Sequence, residues 1–150
     1  MIRETLSTAM KEAMKAKDTR RLSTVRLMQA AIKDRDIANR GAGKEDTSED
    51  EILQILQKLV KQREESAKIY DEAGRAELAT QEREEIAVIK TFMPEQLSDE
   101  KVAEIIAGII AETGASGIKD MGKVMAALRE RYAGQMDFGK ASGTIKAQLG

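Results

Sequence analysis

The stretch Ser98 to Gly114, SDEKVAEIIAGIIAETG, decides the fold. Ser98 followed by Asp99 and Glu100 is a helix start, because the hydroxyl can accept a hydrogen bond from the free amides of the first turn. Val102, Ile105, Ile106, Ile109 and Ile110 then recur at the spacing of one helical face, and Gly114 supplies a left-handed stop. A helix this apolar must be buried, which places it at the centre of a small C-terminal bundle.

Upstream, Met93-Pro94-Glu95-Gln96-Leu97 breaks the pattern, since Pro94 disfavours helical geometry at Met93. The boundary between two modules is set there, at 1–93 and 94–150. The first module reads as four helices. Ile2, Leu6, Ala9, Met10, Ala13 and Met14 mark a helix to about Lys17. Asp18 or Thr19 can cap the next, with Leu22, Val25, Met28 and Ile32 inward and Arg21, Arg26, Lys33 and Arg35 off that stripe. Gly41 to Asp46 has two glycines and no periodicity, and is expected to be a mobile loop. Ser48 to Glu51 forms a capping box in which Glu51 would reach back to the cap. The helix it starts carries Ile52, Leu56, Leu59, Val60, Arg63, Ala67 and Tyr70 on one side and stops at Gly74. A fourth, from Glu77 to Phe92, carries Leu78, Ile86, Ile89 and Phe92.

Downstream of Gly114, Asp120 can cap a short helix with Val124, Met125 and Leu128 inward. A last helix begins near Asp137, with Phe138, Ile145 and Leu149 apolar. The fold class is therefore all-α, four helices followed by a three-helix bundle. Composition agrees: aromatics are 3%, Trp is absent and Pro94 is the single proline, so the core is aliphatic and the helices are uninterrupted.

Cys and His both number 0, which removes thiolate and imidazole zinc sites, Ser-His-Asp triads, cysteine nucleophiles, histidine bases and disulfides. Neither a metal site nor a cofactor is expected. The acidic clusters Glu64-Glu65 and Glu82-Glu84-Glu85 read as solvated faces, because a catalytic carboxylate pair needs a cleft and two distinct environments. The opening MIRETLSTAM has no apolar leader core, and the run Ile105 to Ala111 is too short to span a bilayer. A cytoplasmic protein without membrane contact is the expectation.

The net charge of −1 conceals an uneven distribution. Residues 1–40 hold 10 Lys/Arg against 5 Asp/Glu, residues 41–100 hold 8 against 16, and residues 101–150 hold 7 against 5. Within the last segment, Lys119, Lys123, Arg129, Arg131, Lys140 and Lys146 are the candidate nucleic-acid-binding residues, and Gly139, Ser142 and Gly143 leave the final helix thinly covered. Small residues admit either another helix or a phosphate backbone, and both readings stand on these residues. With so few aromatics to stack bases, an RNA contact would read shape and backbone.

Gly134, four residues, Gly139-Lys140 nearly spells a phosphate loop. Such a loop needs a preceding strand and a following Ser or Thr for magnesium. Here a helix precedes and Ala141 follows, so nucleotide binding is set aside.

Lys61-Gln62-Arg63, Ser66, Tyr70, Ala73-Gly74-Arg75, Pro94-Glu95-Gln96-Leu97, Glu112-Thr113-Gly114-Ala115, Lys119 to Met125 and Gly139-Lys140 together resemble the YqeY-like proteins. These are relatives of the C-terminal tail of the B subunit of aminoacyl-tRNA amidotransferases. The likeness runs in register along nearly the whole chain. One departure is Gly134-Gln135-Met136-Asp137-Phe138-Gly139-Lys140, where the family has a compact Gly-Arg-x-Asp-Gly-Lys turn. The resemblance implies that the second module is a tRNA-binding domain; because the chain offers no evident nucleophile and no room for the catalytic domains, an accessory protein that does not carry out the amidotransferase reaction alone is the expectation. The resemblance also carries the family label of a carbon-nitrogen ligase with glutamine as amide donor. A protein–protein adaptor and a non-autonomous enzyme subunit are the alternatives; a protein partner in translation would fit either.

Overall fold

The computed structural model describes residues 1–150. It is all-α, and the arrangement of four helices followed by three holds: α1 (Ile2–Ala16), α2 (Thr19–Gly41), α3 (Glu49–Glu72), α4 (Ala76–Lys90), α5 (Asp99–Thr113), a single 3₁₀ turn (Ile118–Asp120), α6 (Met121–Tyr132) and α7 (Phe138–Leu149). The chain divides into two compact units, Met1–Pro94 and Glu95–Gly150.

In the first unit the aliphatic stripes meet. Leu6, Val25, Met28, Ile32, Ile52, Leu56 and Ile89 are all buried, as is Ala79, whose small side chain lets helices approach. The break between α1 and α2 falls at Lys17, which takes left-handed φ 56°. The Asp18 carboxylate then accepts the Arg21 amide at 3.1 Å to cap α2. Gly74, at φ 72°, ends α3 so that α4 folds back on it. Arg63, a charged residue on an apolar stripe, is explained by its partner: its Nε donates to Glu85 Oε2 of α4 at 2.9 Å. From α2, Arg20 approaches Glu84 at 3.3 Å and Glu85 at 3.7 Å, so one acidic pair ties three helices together.

Ser48 caps α3 by accepting the Glu51 amide at 3.2 Å. The Glu51 carboxylate is held below its ordinary range first by Asn39 of α2, whose Nδ2 lies at 3.2 Å, and also by the Ser48 amide and by Arg35, whose Nε lies at 3.1 Å. After Gly41 the chain to Asp46 is a loop, in which the Lys44 amide donates to Asn39 O at 2.8 Å and Arg40 Nε to Asp46 Oδ1 at 2.9 Å. Just beyond, the Thr47 amide donates to Asp36 Oδ1 at 2.9 Å.

In the second unit, Val102, Ile106 and Ile109 of α5 are buried against Val124, Leu128, Met136, Ala141 and Ile145. Ile105 and Ile110 lie at the edge of that core, half-buried. Helix α7 begins as expected, with Asp137 Oδ1 accepting the Gly139 amide at 2.9 Å and the Lys140 amide at 3.3 Å. Asp120 behaves differently from its expected role. Its side chain makes no cap bond to α6 but accepts the Ser116 amide at 3.0 Å, folding the loop before the 3₁₀ turn.

Candidate nucleic-acid interface

All six candidate cations of the second unit are exposed, and two of them are paired with carboxylates. Arg131, at the end of α6, gives a two-pronged hydrogen bond to Glu112 of α5, with Nη1–Oε2 at 2.8 Å and Nη2–Oε1 at 2.6 Å. This pairing holds the Glu112 carboxyl below the usual carboxylate range and raises the Arg131 guanidinium. Lys140, in the first turn of α7, places Nζ 3.3 Å from both carboxylate oxygens of Asp99 at the start of α5. Asp99 and Glu112 stand 13 residues apart on one helix, about 20 Å at 1.5 Å per residue, so these two cations are anchored far from each other.

The other four have no carboxylate within ion-pair distance. Lys119 lies in the 3₁₀ turn and Lys123 in the first turn of α6, on either side of Asp120. The Asp120 carboxyl sits below its ordinary range, first because of the Ser116 amide and then because of Lys123 and Lys119. Its oxygens face back into the loop. Arg129, six residues and about 120° around α6 from Lys123, lies over the Phe138 ring with 5.8 Å to the centroid. Lys146 occupies the last turn of α7.

The near-phosphate loop at Gly134 is closed to a ligand by its own neighbours. Gln96 Nε2 donates to Gly134 O at 2.6 Å and the Leu97 amide to Gln135 O at 2.9 Å, so the turn presents carbonyls to the 96–97 segment. Phe138, the residue that departs from the family turn, packs at the edge of the core beneath Arg129.

Sequence reading missed the partners Asp99 and Glu112, which stand 41 and 19 residues from the cations they bind, beyond any local pattern. It also passed over Ile118, whose signal was an apolar residue between Gly117 and Lys119, off any helical stripe. Charge counting by segment misled in one respect. The compact unit starts at Glu95 and so includes Glu95, Asp99 and Glu100, which leaves 7 Lys/Arg against 8 Asp/Glu. Any positive character there is local.

No group of three or more acidic side chains is placed to hold a metal ion, and no helix is long and apolar enough to cross a membrane.

Comparison with known proteins finds three fungal relatives, each named "Altered inheritance of mitochondria protein 41, mitochondrial". The one from Vanderwaltozyma polyspora is 31% identical over 121 residues, covering 75% of this chain and 62% of that protein, so the chain spans less than two thirds of it. The one from Clavispora lusitaniae is 30% identical over 148 residues, 96% of this chain and 82% of the relative. The one from Lachancea thermotolerans is 27% identical over 146 residues, 93% and 74% respectively. These names overturn the expectation of a plain cytoplasmic protein. The physical reason is that cellular address is read by receptors from targeting signals, whereas composition reports only how a domain is solvated. The family model for YqeY-like protein matches residues 3–149, and with the four-plus-three helices and the motifs from Lys61 to Lys140 in place, the chain belongs to the YqeY-like family.

Proposed function

We propose that the unit Glu95–Gly150 is a tRNA-binding module and that the protein acts as a non-catalytic accessory factor resembling the tail of the tRNA-dependent amidotransferases. The observation that carries this reading is the Lys119–Lys123 pair, exposed, with the intervening Asp120 carboxylate turned back to the Ser116 amide. Two ammonium groups about one helical turn apart suit adjacent phosphates of a nucleic-acid backbone. Arg129 and Lys146, also without a carboxylate partner, stay in the candidate set. Arg131 and Lys140 drop out of the candidate set, because each already neutralises a carboxylate.

The chemistry asked of such a module is modest. Lysines contribute charge and counterion release, which do not depend on base sequence, so recognition rests on the folded shape of the RNA. Amide transfer would need a nucleophile and a cleft, and this reading gives the chain neither.

The test is a titration of fluorescent bulk tRNA with the full chain from about 50 to 200 mM salt. Affinity should fall steeply with salt for the native chain, and K119Q/K123Q should lower the log–log slope by about one to two. Absence of binding at low salt, or an unchanged slope in the double variant, sinks the reading. A tRNA that binds no better than an equally long RNA duplex would reduce it to non-specific attraction.

A further inference from the structure

Among the large apolar side chains the structure leaves exposed, Ile118 is the one in the C-terminal unit, at 54% exposure. A single exposed isoleucine is ordinary on a protein surface. The surroundings of this one are not. It stands at the head of the 3₁₀ turn, next to Lys119 and five residues before Lys123, two of the four cations with no carboxylate partner. The turn is closed on both sides: the Ser116 amide donates to Asp120 Oδ2 at 3.0 Å, and the Asp120 amide donates to Gly117 O at 2.9 Å. The tip is therefore presented by fixed backbone. Its neighbours leave it open, since a Cβ built on Gly117 or Gly122 would meet nothing within 4 Å.

We propose that Ile118 is a base-contacting residue, an apolar tip that meets the face of an unstacked nucleobase while Lys119 and Lys123 hold the flanking phosphates. This rests on the tRNA-binding reading and adds a ligand class to it. A regular duplex hides its base faces inside the stack, whereas the loops of a folded RNA splay bases out where side chains can cover them. An aliphatic side chain gains by covering such a face through apolar burial, without a counterion term, so its contribution is independent of salt. The site thus pairs a salt-dependent element that grips any backbone with a salt-independent element that selects folded over duplex RNA.

The experiment compares the full-length native chain with I118A, I118F and K119Q/K123Q, using bulk tRNA and a 20-base-pair RNA duplex of about the dsRNA-binding scale as probes. Because Ile118 is exposed, the variants should melt with the native protein, which circular dichroism checks. I118A should weaken tRNA binding about five- to tenfold with an unchanged salt slope and leave duplex binding alone, and I118F, whose ring stacks better on a base, should bind tRNA at least as well as native. If I118A binds tRNA within about twofold of native while K119Q/K123Q is impaired, the assignment of Ile118 falls and the tRNA-binding reading stands. Equal losses for tRNA and duplex also overturn it. So does I118A releasing the chain from anionic phosphatidylserine vesicles with tRNA binding intact, which would make the tip a membrane contact. A native chain that binds no tRNA at all removes both conclusions.

Discussion

Arg131 and Glu112 face each other with both guanidinium nitrogens on both carboxylate oxygens, at 2.8 and 2.6 Å, bracing the last turn of α6 against the last turn of α5. A cation held this way is already neutralised, and releasing it to a phosphate would expose Glu112 to the same polyanion. The same holds at the other end of α5, where Lys140 faces Asp99. R131Q and K140Q, singly, should therefore change tRNA affinity by less than about threefold while K119Q/K123Q changes it by more than tenfold. Parallel titrations of the three variants check this ranking. R131Q matching the double variant would show that the pair opens on binding.

Among the carboxylates of the first unit, Asp36 is held furthest below its ordinary range, ahead of Glu4, Glu51 and Asp71. Its carboxylate accepts from Arg3 Nη1 at 2.9 Å, Arg3 Nη2 at 2.6 Å and the Thr47 amide at 2.9 Å, and these bonds hold it far below the ordinary aspartate range, Arg3 contributing most. A carboxylate with a lowered folded pKa stabilises above its unfolded value, near 3.9, and that stability is lost as pH falls through the folded value. Native protein should thus lose stability progressively below about pH 4, and D36N should flatten that limb and cost about 1–3 kcal/mol at neutral pH. Urea melts from pH 2 to 7 decide it. A D36N curve parallel to native would place the acid sensitivity elsewhere.

Lys17 pays for its left-handed φ of 56°, because a Cβ crowds the backbone there and glycine has none. Its amide and that of Asp18 still close the end of α1, on Met14 O at 3.2 Å and Ala13 O at 3.0 Å. Lys17→Gly should stabilise the protein by about 0.5–1 kcal/mol, seen as a raised melting temperature. Destabilisation instead would mean that glycine's gain in unfolded-state entropy outweighs the relief.

Ile106, fully buried at the centre of the second unit, should cost about 2–5 kcal/mol when truncated to Ala. Ile105, half-buried on the same helix, should cost less. Amide exchange of α6 and α7 reports the difference directly. Equal effects would mean that the edge of this core is as tightly packed as its centre.

The sequence determined the helices, because their causes are local. The spacing from Val102 to Ile110, the hydroxyl of Ser98, the carboxylate of Asp137 and the left-handed turns at Gly74 and Gly114 act within a few residues, and each appears in the fold. The family was legible for the same reason, as short motifs in register along residues 3–149. What only the tertiary structure decided is which charges remain available. Six cations were equivalent as letters, yet Arg131 and Lys140 meet acids 19 and 41 residues away while Lys119 and Lys123 meet none. The Glu51 carboxylate likewise meets Asn39 and Arg35 of α2, 12 and 16 residues away. A hydrogen bond or ion pair goes to the nearest strong partner in space, and helix packing chooses that neighbour.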